Sequence, residues 1–220
     1  MPKKYLTKSD KAFNRVNPDY ALKLSLRSKE LLWLNEHRQN VIDTLPKRLA
    51  HHFASYDFTG INKQDVQSIF IHGKAGVGKT VLSAYLYVEF VRDLYIKRGG
   101  IAALKYNYVI FPNFIEEMQN LFLQSTLFEK AKVKQNYLIH KYSNCDILVL
   151  DDFGTKKITE YVYSLIYLVI NQRYLNMLPT IINSNLSLPE LGEYLSDDRI
   201  PRRIDEDYLL IDKADWKTVL

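Results

Sequence analysis

One segment, Gly73 to Thr80, constrains the fold of this chain more than any other. It reads Gly-Lys-Ala-Gly-Val-Gly-Lys-Thr, a complete G-x-x-x-x-G-K-T pattern. The apolar run 69–71 precedes it and a long helical pattern, Val81 to Lys97, follows it. In a loop between a strand and a helix, glycines let backbone N–H groups point at phosphate oxygens, and the helix dipole adds positive potential. We therefore predict a phosphate-binding loop formed by Gly73, Lys74, Ala75, Gly76, Val77, Gly78, Lys79 and Thr80.

The last two residues of this loop predict which nucleotide groups it holds. Lys79 supplies a positive charge to the β and γ phosphates, and the Thr80 hydroxyl is a natural Mg²⁺ ligand. Lys74 is expected to face solvent. The segment 62–65 has the N-K-x-D pattern of guanine-reading sites, but it precedes the loop instead of following it. We therefore expect ATP and Mg²⁺ as the cofactors.

An acidic pair follows a second apolar run. Four apolar residues, 147–150, lead directly into Asp151 and Asp152. A carboxylate at the end of a strand beside the loop is needed to hold the water shell of the metal, a role that fits Asp151. Asp152 is placed to orient the attacking water or to accept its proton. Two carboxylates favour a nucleotide hydrolase over a plain kinase.

Short β-rich runs alternate with helical patterns along the rest of the chain. Near-continuous apolar strands separated by helices predict an α/β fold with a parallel sheet covered on both faces. The strands are expected at Ser68 to His72, Tyr106 to Phe111, Asp146 to Leu150, Thr180 to Ser184 and Tyr208 to Ile211.

Length and composition exclude several protein classes. The chain has 220 residues, 47% hydrophobic and 25% charged, which is typical of a globular domain and not of a disordered chain. Its single cysteine, Cys145, excludes an internal disulfide framework and a Cys-rich zinc site. The longest apolar run, Tyr161 to Ile170, is too short to span a bilayer. We expect a cytoplasmic protein that does not associate with a membrane.

The N-terminal part differs from the rest in charge. The net charge is +5, and residues 1–50 hold eleven Lys/Arg and five Asp/Glu. Residues 25–53 have a helical pattern broken at Pro46, and 54–67 read as a turn-rich connector. We predict a basic helical extension over 1–53 and an ATPase domain over 54–220. The extension is compatible with nucleic acid, with an acidic protein partner, or with an ordinary solvated helix.

Five segments together carry a family resemblance. They are Gly73 to Thr80, Ile147 to Gly154, Asn171 to Arg173, Pro179 to Leu186 and Asp198 to Ile204. In this order they resemble the AAA+ ATPase domain of DnaC/DnaI-type helicase loaders and of the transposition helper IstB, over roughly residues 46 to 217. The resemblance implies an ASCE-type P-loop NTPase with a five-stranded parallel sheet in the order 5-1-4-3-2.

The resemblance also assigns residues. Asn185 falls at the sensor 1 position, with Asn183 in reserve, although both also suit a turn after a strand. Arg203, four residues after Arg199, resembles an arginine finger that reaches the nucleotide of a neighbouring subunit. The alternative is an ordinary charged surface turn. With Lys79 and Asp152, Asn185 and Arg203 complete the expected catalytic set.

This sequence departs from the family pattern in three places. The Asp-Glu pair that is usual in AAA+ proteins is Asp151-Asp152 here, with a shorter second side chain, so hydrolysis is expected to be slow. Asp215-Trp216-Lys217 replaces an aromatic-Arg pair near the C-terminus, and no Cys-His recognition domain precedes the ATPase domain. The helical extension either docks a partner through Leu31, Trp33 and Leu34 or packs on its own ATPase domain.

The function implied is that of a helicase loader for DNA replication in a bacterial cell, with an origin in a phage or mobile element hinted at by the small size. Its expected partners are a replicative helicase, single-stranded DNA and further copies of the chain. The alternatives are an IstB-like helper that hands duplex DNA to a transposase, and a small-molecule kinase. Basic and aromatic candidates for DNA contact are Lys105, Tyr106, Tyr108, Lys130, Lys132, Lys134, Lys156 and Lys157.

Overall fold

A single parallel sheet organises the protein. The computed structural model describes residues 25–26, 28–53, 68–98, 104–125 and 129–212. Its five strands lie in the order β2-β3-β4-β1-β5, all parallel. This is the predicted order read from the opposite edge, so the α/β P-loop fold is confirmed. The strands are β1 Ser68–His72, β2 Tyr106–Ile110, β3 Ile147–Phe153, β4 Thr180–Ser184 and β5 Tyr208–Asp212.

Helices cover both faces of the sheet. A π-helical turn, Trp33–His37, precedes two short helices, and six longer elements alternate with the strands. The helices are α1 Arg38–Ile42, α2 Lys47–Phe53, α3 Lys79–Arg98, α4 Phe111–Ser125, α5 Glu129–Ser143, α6 Glu160–Leu175, α7 Leu188–Leu195 and α8 Arg199–Asp207. Within the described residues, no helix is long and apolar enough to cross a membrane.

Four strand boundaries differ from the prediction, among them the start of β3 and the end of β5, each by a single residue. Phe111 begins α4 and does not end β2, because Pro112 in the first helical turn suits a helix start. The β3 strand extends through the acidic pair to Phe153, since Ile110 pairs with Asp151 and Ser184 pairs with Phe153. The predicted connector 54–67, the glycines at 99–100 and the segment 215–217 lie outside the described residues.

The strands are almost entirely apolar because each face of the sheet has its own core. On one face, Ile71, Val149 and Ile181 pack with α3 and the N-terminal helices. On the other, Phe70 and Leu148 pack with α4, α6 and α8. This three-layer packing fixes the carboxyl ends of β1, β3 and β4, where the motif residues lie.

The N-terminal helices pack on the ATPase domain. Trp33 is 1% exposed, and its ring centroid lies 5.6 Å from that of Tyr95 in α3. Of the two alternatives left open by the sequence, the structure therefore shows packing on the same chain for Trp33. Leu31 and Leu34 are 53% and 58% exposed. The predicted break at Pro46 is confirmed, since it separates α1 from α2.

A buried arginine ties together the starts of two strands. The Arg173 side chain, at the end of α6, is completely buried and donates hydrogen bonds to the carbonyl oxygens of Cys145 (2.8 Å) and Pro179 (2.6 Å). Its Nε donates to the Thr180 hydroxyl at 2.9 Å. Burial lowers the pKa of this guanidinium. Arg173 thus joins the chain entering β3 to the chain entering β4.

Candidate functional site

The phosphate-binding loop has the predicted place between β1 and α3. Three of its glycines have positive φ angles: Gly73 at 139°, Gly76 at 82° and Gly78 at 91°. These conformations are strained for residues that carry a Cβ, so the loop shape depends on glycine at these positions. Lys74, Ala75 and Gly76 are exposed at the tip of the loop, as expected for the Lys74 side chain.

Lys79, the first residue of α3, folds back under this loop. It is 5% exposed, and its Nζ donates to the carbonyl oxygens of Gly73 (2.9 Å) and Lys74 (3.0 Å). A third bond, 2.7 Å long, reaches Oδ1 of Asn185 beyond β4. Burial lowers the pKa of Lys79, while the charges of Asp152 and Asp151 oppose that shift. All three acceptors are neutral, so phosphate oxygens would compete favourably for the ammonium protons.

Asp151 lies next to Thr80 at the end of β3. The Thr80 hydroxyl donates to Asp151 Oδ1 at 3.0 Å, and the carboxylate is only 3% exposed. Asn183 Nδ2 also donates to Oδ1, and the Tyr108 hydroxyl donates to Oδ2 at 2.8 Å. Burial raises the pKa of Asp151, and these three hydrogen bonds oppose the shift. The carboxylate is therefore held rigidly beside the loop.

The pair Thr80 and Asp151 fits a magnesium ion. Both supply oxygen, and Mg²⁺ at nucleotides takes one or two protein oxygens and fills its other positions with phosphate and water. Within the described segments, no group of three or more His, Cys, Asp or Glu side chains is arranged to hold a metal ion. This agrees with a metal that depends on the nucleotide for most of its ligands.

Asp152 has an unusual backbone conformation. Its φ angle is 60°, in the left-handed region, at a shift of register between β3 and β4. The Asp152 N–H donates to Asn183 Oδ1 at 2.8 Å. A bulge of this kind redirects a side chain at the end of a strand. It leaves the Asp152 carboxylate partly exposed while Asp151 stays buried.

The two asparagines at the carboxyl end of β4, Asn183 within the strand and Asn185 just after it, have different environments. Asn183 is completely buried. Its Nδ2 donates to Asp151 Oδ1 and to Ser83 Oγ at 2.9 Å, and its Oδ1 accepts from the Asp152 N–H. Asn185 is exposed and bonded to Lys79. Of the two candidates, Asn185 is therefore the one with access to a nucleotide. We call Lys79, Thr80, Asp151, Asn183 and Asn185 the nucleotide cluster.

The turns after β3 and β4 are joined by one hydroxyl. Ser184 Oγ donates to the Phe153 carbonyl at 2.6 Å and accepts from the Leu186 N–H at 3.0 Å. Gly154 has a φ angle of 85°, and a Cβ on it would lie 2.9 Å from Leu186 Cδ1. Ser184 thus links the end of β3, one residue after Asp152, to the turn that carries Asn185.

The predicted arginines lie on another surface. Arg203 in α8 donates from Nε to Asn171 Oδ1 and from Nη2 to the Tyr167 hydroxyl, both at 2.9 Å. The Arg199 guanidinium pairs with Asp197 at 2.8 Å and lies 4.5 Å from the Tyr167 ring centroid. The contacts of Arg203 are therefore with α6 and α8. We use the name arginine face for the group Tyr163, Tyr167, Tyr174, Arg199 and Arg203.

The candidates for DNA contact are divided by their exposure. The Tyr108 hydroxyl is bonded to Asp151, and the Tyr106 ring packs edge-on against Tyr87 at 6.1 Å. Both tyrosines are partly exposed, so DNA contact by their rings stays a prediction. Lys134 and Lys156 form ion pairs with Glu117 and Glu116, and the exposed lysines are Lys105, Lys130, Lys132, Lys134 and Lys157.

Sequence reasoning missed three side chains near the site. Tyr108 and Ser83 bond to the nucleotide cluster, and Ser184 joins the turns that carry it. One signal for Tyr108 was present, since a polar aromatic residue near the carboxyl end of the strand beside β3 is placed to reach an acid there. Ser83 and Ser184 gave no such signal, because small polar residues are common in helices and at strand ends.

Comparison with known proteins settles the family. The family model described as IstB-like ATP binding protein matches residues 26–207. The chain belongs to this family. The match includes the N-terminal helices from residue 26 onward, the phosphate-binding loop and both arginines of the arginine face. The AAA+ resemblance inferred from the five sequence segments is therefore confirmed.

Two bacterial proteins are similar to this member of the IstB-like family. The replicative helicase loader DnaI of Bacillus subtilis is 29% identical over 143 residues, which cover 64% of this chain and 39% of DnaI. The phage-like element PBSX protein XkdC of Bacillus subtilis is 29% identical over 166 residues, which cover 72% of this chain and 55% of XkdC. The chain thus matches about half the length of these relatives or less.

A solved structure supports the fold. The crystal structure of the DnaC helicase loader superposes with a TM-score of 0.50 at 22% identity. The superposition covers 80% of this chain and 98% of the DnaC chain. The IstB-like chain thus shares the fold of a helicase loader.

Proposed function

We propose that this IstB-like protein binds Mg²⁺·ATP, hydrolyses it slowly, and acts as a helicase loader in DNA replication. The observation that carries the ATPase part is the 3.0 Å contact between the Thr80 hydroxyl and the buried Asp151 carboxylate under the phosphate-binding loop. This arrangement brings the hydroxyl and carboxylate oxygens needed for a nucleotide-bound metal to one place.

Each side chain of the proposed site has a separate task. Lys79 exchanges its neutral acceptors for phosphate oxygens, while Thr80 and Asp151 hold Mg²⁺, which neutralises charge developing on the transferred phosphoryl group. Asp152 orients the attacking water from its redirected position near the end of β3. Asn185, bonded to Lys79, is placed to contact the γ phosphate or that water.

Arg203 is proposed to act on the nucleotide of a neighbouring subunit. Its planar guanidinium suits the charge that spreads over the transferred group, and delivery from another subunit makes hydrolysis depend on assembly. Its contacts with Asn171 and Tyr167 keep it on the surface of its own subunit. Assembly would then need to draw Arg203 from these partners.

The loader function is supported by the relatives. DnaI is a replicative helicase loader by name, and the family match over residues 26–207 contains the whole proposed ATP site. We infer that the partners are a replicative helicase, single-stranded DNA and other copies of the chain. The similarity to XkdC supports an origin in a phage or mobile element, and the setting we propose is the bacterial cytoplasm.

A second candidate function is favoured by the family match itself. The matching model describes an IstB-like ATP binding protein, and a helper of that type would assemble on duplex DNA and serve a transposase. The two candidates share the ATP site. They differ in the DNA form that stimulates it.

These proposals are tested by measuring ATP turnover and assembly size of the purified protein. Each is measured without DNA, with single-stranded DNA and with duplex DNA. Turnover stimulated by single-stranded DNA, with oligomers formed only when ATP is present, supports the loader. A preference for duplex DNA with growth of filaments supports the IstB-like helper. A monomer whose ATP turnover is undetectable under all three conditions contradicts both.

A further inference from the structure

Tyr108, on the edge strand β2, reaches into the site from the side opposite the phosphate-binding loop. Its ring packs edge-on against Tyr87 of α3, with centroids 5.8 Å apart. Its hydroxyl donates to Asp151 Oδ2 at 2.8 Å and lies 3.3 Å from Ser83 Oγ. Burial and the Asp151 charge raise the pKa of Tyr108 well above its usual value, which keeps this hydroxyl protonated as a donor.

The donors around Asp151 are unequally divided between its two oxygens. Thr80 and Asn183 both reach Oδ1, and among the described residues Tyr108 is the side chain that donates to Oδ2. The carboxylate of an aspartate turns about its Cβ–Cγ bond, and donors on both oxygens restrain this rotation more than donors on one oxygen alone. A donor on the second oxygen fixes the plane of the group and therefore the direction of its lone pairs.

The direction of these lone pairs matters for a metal. Mg²⁺ requires near-ideal octahedral geometry, so a carboxylate that serves its water shell must point in one direction. We propose that Tyr108 is a positioning residue, which holds the Asp151 carboxylate in the orientation that Mg²⁺·ATP requires. The inference rests on the proposed ATP site and adds to it a side chain that belongs to none of the motifs.

The chain offers a matched control on the same strand. Tyr106 lies two residues before Tyr108, so both side chains are on the same face of β2. Its ring also packs edge-on against Tyr87, with centroids 6.1 Å apart. Tyr106→Phe and Tyr108→Phe therefore remove the same atom from neighbouring rings, and only the second removes a donor from Asp151.

The experiment measures binding of a fluorescent ATP analogue at increasing Mg²⁺ concentrations and, separately, in EDTA. Unfolding temperatures of the nucleotide-free variants are measured in parallel. For Tyr108→Phe we expect the Mg²⁺ concentration for half-maximal binding to rise about tenfold, the effect of losing one hydrogen bond to a charged group. Affinity in EDTA is expected to be unchanged. Tyr106→Phe is expected to match the wild type in both measurements.

A second variant separates positioning from packing. Ser83→Ala removes a neighbour of the Tyr108 hydroxyl but leaves the Tyr108 to Asp151 bond. Its Mg²⁺ requirement should rise less than that of Tyr108→Phe. An equal or larger rise would overturn the assignment to Tyr108, because the effect would then come from the general order of the cluster.

Other results bear on different claims. An unchanged Mg²⁺ requirement in Tyr108→Phe, or an equal change in Tyr106→Phe, overturns the inference while leaving the ATP site intact. Loss of affinity in EDTA together with a lower unfolding temperature shows a structural role and also overturns it. If the wild type binds the analogue with no response to Mg²⁺, the proposed ATP site itself fails.

Discussion

The nucleotide cluster and the arginine face, two charged regions of one small domain, are built in opposite ways. In the nucleotide cluster, Asp151 is 3% exposed and both of its oxygens accept hydrogen bonds. In the arginine face, the Arg199 side chain is 50% exposed and pairs with Asp197 on the surface. One region is complete within a single chain. The other presents the Arg199 charge outward, where we propose that a neighbouring subunit meets it.

This difference predicts which functions survive in an isolated subunit. Buried polar groups have fixed partners, and the loss of one partner leaves the others unpaired at high cost. Exposed ion pairs contribute little to stability and can be exchanged for other partners. We therefore expect nucleotide binding to be a property of the monomer and stimulated hydrolysis to be a property of the assembly.

The largest effect is expected from Lys79→Ala. The variant loses the buried ammonium group and its bonds to the loop and to Asn185. Affinity for ATP should fall at least about a hundredfold, because hydrogen bonds from a charged donor to phosphate are strong. Equilibrium binding of a fluorescent ATP analogue measures this. Lys97→Ala, an exposed lysine near the other end of α3, is the control and should bind as the wild type does.

Arg203→Ala is expected to show the next largest effect, and on hydrolysis alone. Turnover stimulated by DNA or by assembly should fall about a hundredfold to a thousandfold, the range for loss of one group that stabilises transition-state charge. ATP affinity of the monomer should not change. Steady-state turnover and equilibrium binding measure the two quantities on the same preparation.

The neighbouring arginine is the control for this variant. Arg202 pairs with Asp198 at 2.6 Å on the exposed side of α8. Arg202→Ala should retain stimulated turnover. If Arg202→Ala loses the stimulation and Arg203→Ala keeps it, the assignment of Arg203 is wrong.

Gly154→Ala tests the rigidity around the nucleotide cluster. The new Cβ would lie 2.9 Å from Leu186 Cδ1, at a backbone φ of 85°. We expect the free energy of unfolding to drop by about 2 to 3 kcal/mol from the left-handed conformation and the clash together. Urea denaturation measures it. Gly76 has a similar φ of 82°, but a Cβ there would meet open space. The smaller loss of unfolding free energy expected for Gly76→Ala therefore measures the cost of the backbone conformation without the clash.

The smallest effect is expected from Asp197→Asn in the arginine face. Arg199 holds the pKa of Asp197 well below its usual range. A carboxylate with a lowered pKa in the folded state stabilises it above the usual carboxyl pKa, and this contribution disappears as the pH falls through the folded-state pKa. Unfolding temperatures of wild type and variant should therefore differ slightly at neutral pH and converge in strong acid. A difference that grows on acidification would contradict this.

The sequence was sufficient for the parts of the site that depend on backbone shape. The glycines of the loop, the apolar run before Asp151 and the alternation of strands with helices each follow from local chemistry, so the loop, the acidic strand and the parallel sheet were predicted from them. The order of the strands came from the family resemblance. Tyr108 was instead a candidate for DNA contact. Its bond to Asp151 was not predicted, because that bond depends on the register of β2 against β3, in which Tyr108 pairs with Val149. No local pattern encodes that register.

Two other features escaped prediction for physical reasons. The positive φ of Asp152 arises from pairing on both sides of β3, with Ile110 against Asp151 and Ser184 against Phe153. The sequence left open whether Leu31, Trp33 and Leu34 dock a partner or pack on the same chain, and in the structure Trp33 packs on Tyr95 while Leu31 and Leu34 are exposed. Helical spacing shows which residues share a face but does not show which face meets the core.

Arg173 joins the amino ends of the two strands that lead to Asp151 and Asn185. Its guanidinium binds the carbonyl oxygens of Cys145 and Pro179, and six residues beyond each of these lie Asp151 and Asn185. Two neighbouring strands are thus joined at one point. From there, each chain runs six residues to Asp151 or to Asn185, roughly 20 Å at the usual rise per residue. The Asp151 carboxylate accepts a hydrogen bond from Asn183, two residues before Asn185, so Arg173 fixes, from the opposite end of the sheet, the two strands that meet at the proposed nucleotide site.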